Sequence, residues 1–131
     1  MTIDYRIIAS TILAWIEFGH WRLRAKRLDR EEAVAYLDYL RQVIYIDKYC
    51  LPEQNKAKEL LDAIIHELIH FAYPRILRHS NKEEEKKVIK YTSQILQDEE
   101  WSRILLEAIL IHIHLPKWAY TLLNKELDGP S

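Results

Sequence analysis

Two glycines in 131 residues, Gly19 and Gly129, leave this chain few places to turn sharply, and four prolines add little further punctuation. A multi-stranded all-β fold needs a turn every few residues, so the scarcity points to long regular elements joined by a few breaks. The length suits one domain and not two. With 49% hydrophobic and 30% charged residues, a packed core is within reach and a disordered chain is excluded.

The breaks divide the chain unevenly. Before Gly19, the residues Ile7, Ile8, Ile12, Trp15 and Ile16 recur at helical spacing and predict a leading helix over residues 1–18. From 20 to 28 the period changes to two: Trp21, Leu23 and Ala25 alternate with Arg22, Arg24 and Lys26, as in a half-buried strand with one cationic face. Residues 33–39 and 42–49 are rich in β-branched and aromatic types, and Leu40 and Arg41 between them suggest an antiparallel hairpin. Beyond Pro52, the residues Leu60, Leu61, Ile64, Ile65, Leu68, Ile69 and Ala72 form a broad apolar stripe on a helix that Pro74 ends. Ser80 or Asn81 can cap the next helix, whose inner side carries Val88, Tyr91, Thr92 and Ile95. Asp98 can cap a further helix to about Ile113, and Pro116 opens a last one. One α+β domain over 1–131 is expected, with a small antiparallel three-stranded sheet.

Inside the apolar stripe, residues 66–70 read His-Glu-Leu-Ile-His. Positions four apart on a helix lie one above the other, so His66 and His70 can ligate one metal ion together. Glu67 is turned by about 100° from His66, where it can serve a water molecule as general base without ligating the ion. Roughly 2% of shuffled chains of this composition would contain such a pattern, so the motif is a strong hint and not a proof. Two histidines hydrogen-bonded within a helical core are the plainer alternative.

A catalytic zinc, one per chain, wants a third protein ligand and an open position. No further His follows at metzincin spacing, and Met1 is the only methionine. The local candidates are His79, Glu83, Glu84 and Glu85. With Val88, Tyr91, Thr92 and Ile95 facing inward, Glu85 lies about 40° from the centre of that face and Glu84 somewhat further. Glu85 is therefore chosen, with Glu84 and His79 as alternates; acidic residues in a first helical turn also simply complement the helix dipole.

The segment from Tyr36 to about Leu96 resembles the minigluzincins, small metallopeptidase domains similar to the catalytic domains of membrane-embedded gluzincin peptidases. The matching pieces are the Val43-Ile44-Tyr45-Ile46-Asp47 strand, the His66–His70 motif, the Phe71-Ala72-Tyr73-Pro74 exit and the glutamate-rich start of the next helix. The resemblance implies a zinc held by two histidines and a glutamate, with Glu67 as base and acid, acting on peptide or protein substrates. It also implies that Val43, Ile44, Tyr45 and Ile46 form a sheet edge that pairs with an extended peptide. The family-like core then spans about 19–97, and the helices of 1–18 and 98–128 are additions. Those helices could complete the core, form a homodimer interface or keep the peptidase latent by covering its cleft. A catalytically silent helical interaction protein is the competing expectation.

Charge and targeting signals narrow the rest. Lys plus Arg number 19 and Asp plus Glu 20, a formal net charge of −1, so no nucleic acid is expected as partner through whole-protein electrostatics. The row Arg22, Arg24, Lys26 could touch nucleic acid or an acidic peptide, but a solvated strand face that discourages aggregation is the simpler reading. His112 and His114 lie about 200° apart on a helix and make no second metal pair. The single cysteine, Cys50, cannot form an internal disulfide and fits a reducing compartment. No signal peptide is evident, and the apolar run 104–115 is about half of the roughly 20 residues of a membrane span. A cytoplasmic protein is expected.

Overall fold

The computed structural model describes residues 3–27, 35–72 and 81–128. Its element order is α1 (Tyr5–Phe18), β1 (Arg22–Ala25), β2 (Ala35–Asp38), β3 (Val43–Ile46), α2 (Lys56–Ala72), α3 (Asn81–Gln97), α4 (Glu99–His112) and α5 (Lys117–Leu127), with short 3₁₀ turns at Lys48–Cys50 and Glu53–Asn55 before α2. The class is α+β, as expected. Pro74 and Ser80, assigned to helix ends, lie outside the described residues.

In α1, the Asp4 side chain accepts from the Arg6 N–H, and Ile8, Ala9, Ile12 and Ile16 are buried. The buried stripe is narrower than the spacing suggested: Ile7 is 58% exposed, and Trp15 sits at the stripe's margin with its ring edge-on to Phe71. The helix stops where Gly19 lets the next aromatic close in. The Trp15 carbonyl accepts from both the Gly19 N–H and the Trp21 indole N–H, each at 2.9 Å. A Cβ on Gly19 would lie 2.3 Å from that indole nitrogen.

The sheet is mixed and not antiparallel. Its order is β1-β3-β2, with β2 antiparallel to β3 and β1 parallel to it. The hairpin thus forms as expected, through a turn in which Gln42 takes a positive φ of 54°. Gln42 also holds the start of β1, its carbonyl accepting from Arg22 N–H at 3.0 Å and its side-chain oxygen from His20 N–H at 2.7 Å. Val43, Ile44, Tyr45 and Ile46 are consequently the central strand, which corrects their expected place at the edge. The physical reason lies in their composition: Val43, Ile44 and Ile46 are all buried, and a strand apolar on both faces gains most between two neighbours. The start of β1 is covered on its outer side, because Leu23 N–H donates to the His114 carbonyl and His114 N–H to the Trp21 carbonyl, both at 2.9 Å. Among the described residues, β2 is the edge left without a strand neighbour.

Register sets what each face of the sheet carries. The rows Leu23–Ile44–Leu37 and Ala25–Ile46–Ala35 share the face that meets the core, where Leu23, Ile44 and Ile46 are buried and Ala25 at the margin is exposed; Arg24–Tyr45–Tyr36 and Arg22–Val43–Asp38 share the outer face. Beneath the inner rows lies α2, packed against α1, α3, α5 and the strands β2 and β3. One apolar cluster joins Ile8 and Ile16 of α1, Ile44 of β3, Ile64 and Ile69 of α2, Ile109 of α4 and Leu123 of α5. Packing draws no line between a 19–97 core and added helices; α1, α4 and α5 complete the interior that α2 occupies. No helix among the described residues is long and apolar enough to cross a membrane.

Candidate metal centre

The sequence drives Leu60, Leu61, Ile64, Ile65, Leu68 and Ile69 of α2 into the core, which leaves His66, Glu67 and His70 half-buried at the helix margin. On the neighbouring α3, Val88, Tyr91, Thr92 and Ile95 are buried, and Glu85 stands one turn ahead of them. Helix packing therefore brings Glu85 to the two histidines. Its Oε1 lies 2.8 Å from His66 Nε2 and its Oε2 2.9 Å from His70 Nε2. The two Nε2 atoms are 3.2 Å apart.

Neutral imidazoles can satisfy this arrangement by donating their Nε2–H groups to the two Glu85 oxygens; with those protons lost, the same three groups converge on a point where a metal ion can sit. Tetrahedral ligation at about 2.0–2.1 Å puts two ligand nitrogens roughly 3.3 Å apart, so the Nε2 separation suits a single ion. Two imidazoles and a carboxylate are also the donor set of three-ligand sites that keep a fourth position open. His66, His70 and Glu85 are thus a group that could hold a metal ion.

Electrostatics agree with that use. Burial pushes His66 below the usual histidine range, opposed by the Glu85 carboxylate and reinforced by His70. A neutral imidazole is the form that ligates. Burial likewise raises the Glu67 carboxyl to about 7, with the His70 ring opposing and Glu85 adding to the rise. A carboxyl held near neutrality can both take and give a proton.

Glu84, the alternate ligand, meets the other side of the pair: its Oε1 is 3.4 Å from His70 Nδ1. It is placed to orient the His70 ring, as carboxylates behind metal-binding histidines do. His79 lies outside the described residues. Val43, Ile44, Tyr45 and Ile46 belong to the middle of the sheet, away from any free edge.

The sequence reasoning overlooked a hollow of about 430 Å³ beside His66, lined by Asp62, Ile89, Thr92, Ser93, Leu96 and Gln97. Asp62 precedes His66 by one helical turn, a spacing that could have drawn attention to it. Its carboxyl is raised by burial, and His66 partly opposes the rise. Comparison with protein-family models, curated proteins and solved structures returns no match.

Proposed function

We propose that this chain is a zinc-dependent metallopeptidase, with His66, His70 and Glu85 as ligands and Glu67 as the group that moves protons. The observation that carries the reading is the convergence of Glu85, from a separate helix, on two histidines spaced four apart. A His-Glu-x-x-His helix with no third donor would support much less.

A zinc ion bound here would supply Lewis acidity, polarising a peptide carbonyl and acidifying a water molecule. Glu67 takes a proton from the water as its oxygen bonds to the carbonyl carbon. It returns that proton to the amine nitrogen as the C–N bond breaks. Glu84 steadies His70 through Nδ1. An extended peptide can add to the sheet at β2, whose outer side has no strand neighbour among the described residues. Tyr39, just past β2, stacks on Phe71 of α2 with centroids 6.5 Å apart, which ties that edge to the turn of helix following His70. Peptide or protein substrates in the cytoplasm belong to the same proposal.

The test is to load the protein with zinc, incubate it with a mixture of unstructured peptides and identify new termini by mass spectrometry. Cleavage should vanish with chelator and with Glu67→Gln, which keeps its metal. Cleavage untouched by Glu67→Gln would refute the assignment of the base. Bound zinc without any cleavage would favour a silent interaction protein that retains the site.

A further inference from the structure

The outer face of the sheet bears features that the metal centre does not use. Its cross-sheet row Arg24–Tyr45–Tyr36 puts a guanidinium beside two tyrosines, whose rings stack with centroids 4.9 Å apart and planes at 23°. Lys26 Nζ lies 5.2 Å from the Tyr45 ring centre. One row further, Arg22 leads into a hollow of about 460 Å³ lined by His20, Arg22, Arg24, Arg41 and Tyr45 among others. Against these cations the strands' outer rows set one carboxylate, Asp38, at 3.9 Å from Arg41. Arg22 and Arg24 form no ion pair among the described residues.

Guarding a sheet edge would be the ordinary reason for such a cationic row. Here the edge beside Arg22 is already taken, because the backbone around His114 hydrogen-bonds to Trp21 and Leu23, and only the end of β1 past Leu23 is left to guard. Guarding that short end gives no role to Arg22 or to the stacked tyrosines. We propose that this face binds single-stranded nucleic acid, with phosphates in the arginine-lined hollow and a base extending the tyrosine stack from Tyr36. Guanidinium forks match phosphate oxygens, and successive arginines on one strand face stand roughly 6.6 Å apart, within reach of neighbouring phosphates. Aromatic side chains on a basic surface accept any base by its π face. An acidic peptide would satisfy the arginines and leave the tyrosines without a role. A duplex would keep its bases stacked internally and out of reach. The whole-chain charge of −1 does not bear on this, since the cations are gathered on one face and exposed charges act over about a Debye length. The phosphate-binding part stands apart from the peptide edge, because β1, which carries the arginines, is separated from β2 by the central strand; Tyr36 alone belongs to β2, with its ring on the outer face and not in the line of backbone groups that a peptide would pair with.

Fluorescence anisotropy of a dye-labelled dT12 strand tests the proposal, titrated with the full chain at several salt concentrations. Binding should weaken with salt at a log–log slope near −2, about −0.7 for each of three phosphates. Arg22→Gln/Arg24→Gln should weaken binding at least tenfold and make the slope shallower by about 1.4. Both residues are exposed, and unchanged circular dichroism would show that the variant still folds. Tyr36→Leu should weaken binding with no change of slope, the signature of a stacking contact. No binding at low salt, binding indifferent to the double variant, or equal displacement by poly-glutamate and by unlabelled dT12 would each overturn the proposal.

Discussion

Glu67 offers the sharpest quantitative test, because a buried carboxyl near a metal site should cost the metal-free protein stability. Burial holds its folded value at about 7 against an ordinary 4.5. The folded state therefore binds a proton more tightly than the unfolded one, and the sign follows. Stability is fully retained below about 4.5, falls as pH rises through the window to 7, and stays lowered above it. Two and a half pH units at about 1.4 kcal/mol each make a ceiling of about 3–4 kcal/mol. Glutamine has nearly the shape of the protonated carboxyl and does not titrate. In chelator, Glu67→Gln should match the wild-type chain at pH 4.5 and exceed it by up to about 3–4 kcal/mol at pH 8. Urea denaturation of both proteins at pH 4.5, 6 and 8 measures the difference directly. An offset constant across that range would refute the reasoning, since it would mean that Glu67 titrates alike in both states. A base that destabilises its own fold at neutral pH is what a functional carboxyl, and not a packing one, would show.

Other consequences are equally concrete. Gly19→Ala forces the Trp21 indole away from the Trp15 carbonyl and should cost about 1–3 kcal/mol, with a shift in tryptophan emission; an unchanged melting temperature would contradict the close approach. Glu85→Gln should all but abolish zinc binding while Glu84→Gln weakens it roughly tenfold, measured by competition with a chromophoric chelator; the reverse order would make Glu84 the ligand. Asp98 caps α4 through the Trp101 N–H and accepts from the Tyr5 hydroxyl at 2.7 Å, the contact that does most to hold its carboxyl below the usual range. Its contribution is present at neutral pH and lost as pH falls through the depressed value. Asp98→Ala should therefore melt lower than wild type at pH 7, with the gap closing in strong acid, and Tyr5→Phe should add little on top of it.

Helical periodicity carried most of what could be read in advance. The spacing of Val88, Tyr91, Thr92 and Ile95 defines a buried face, and from it alone Glu85 falls nearer than Glu84 to the side that meets α2. The hairpin of β2 and β3 was legible from residue types, because its partners are near in sequence. Strand order was not, since the parallel pairing of β1 with β3 is a long-range choice that no local pattern encodes. A sign of it was present all the same: a strand with Val43, Ile44 and Ile46 all apolar suits the middle of a sheet, and its placement at an edge came from the family resemblance. The narrower stripe of α1 has a similar origin, because Ile7 and Ile8 look alike in sequence and only packing against α4 and α2 decides which is buried.

A metal ion shared by two helices is tested most directly by native mass spectrometry of the untagged chain after exposure to zinc and removal of the excess. One zinc per chain, absent from His70→Ala and from Glu85→Gln, is the expected result. A chain that takes up no zinc, or that keeps it in both variants, would show that His66, His70 and Glu85 are held together by hydrogen bonds alone and do not form a metal centre.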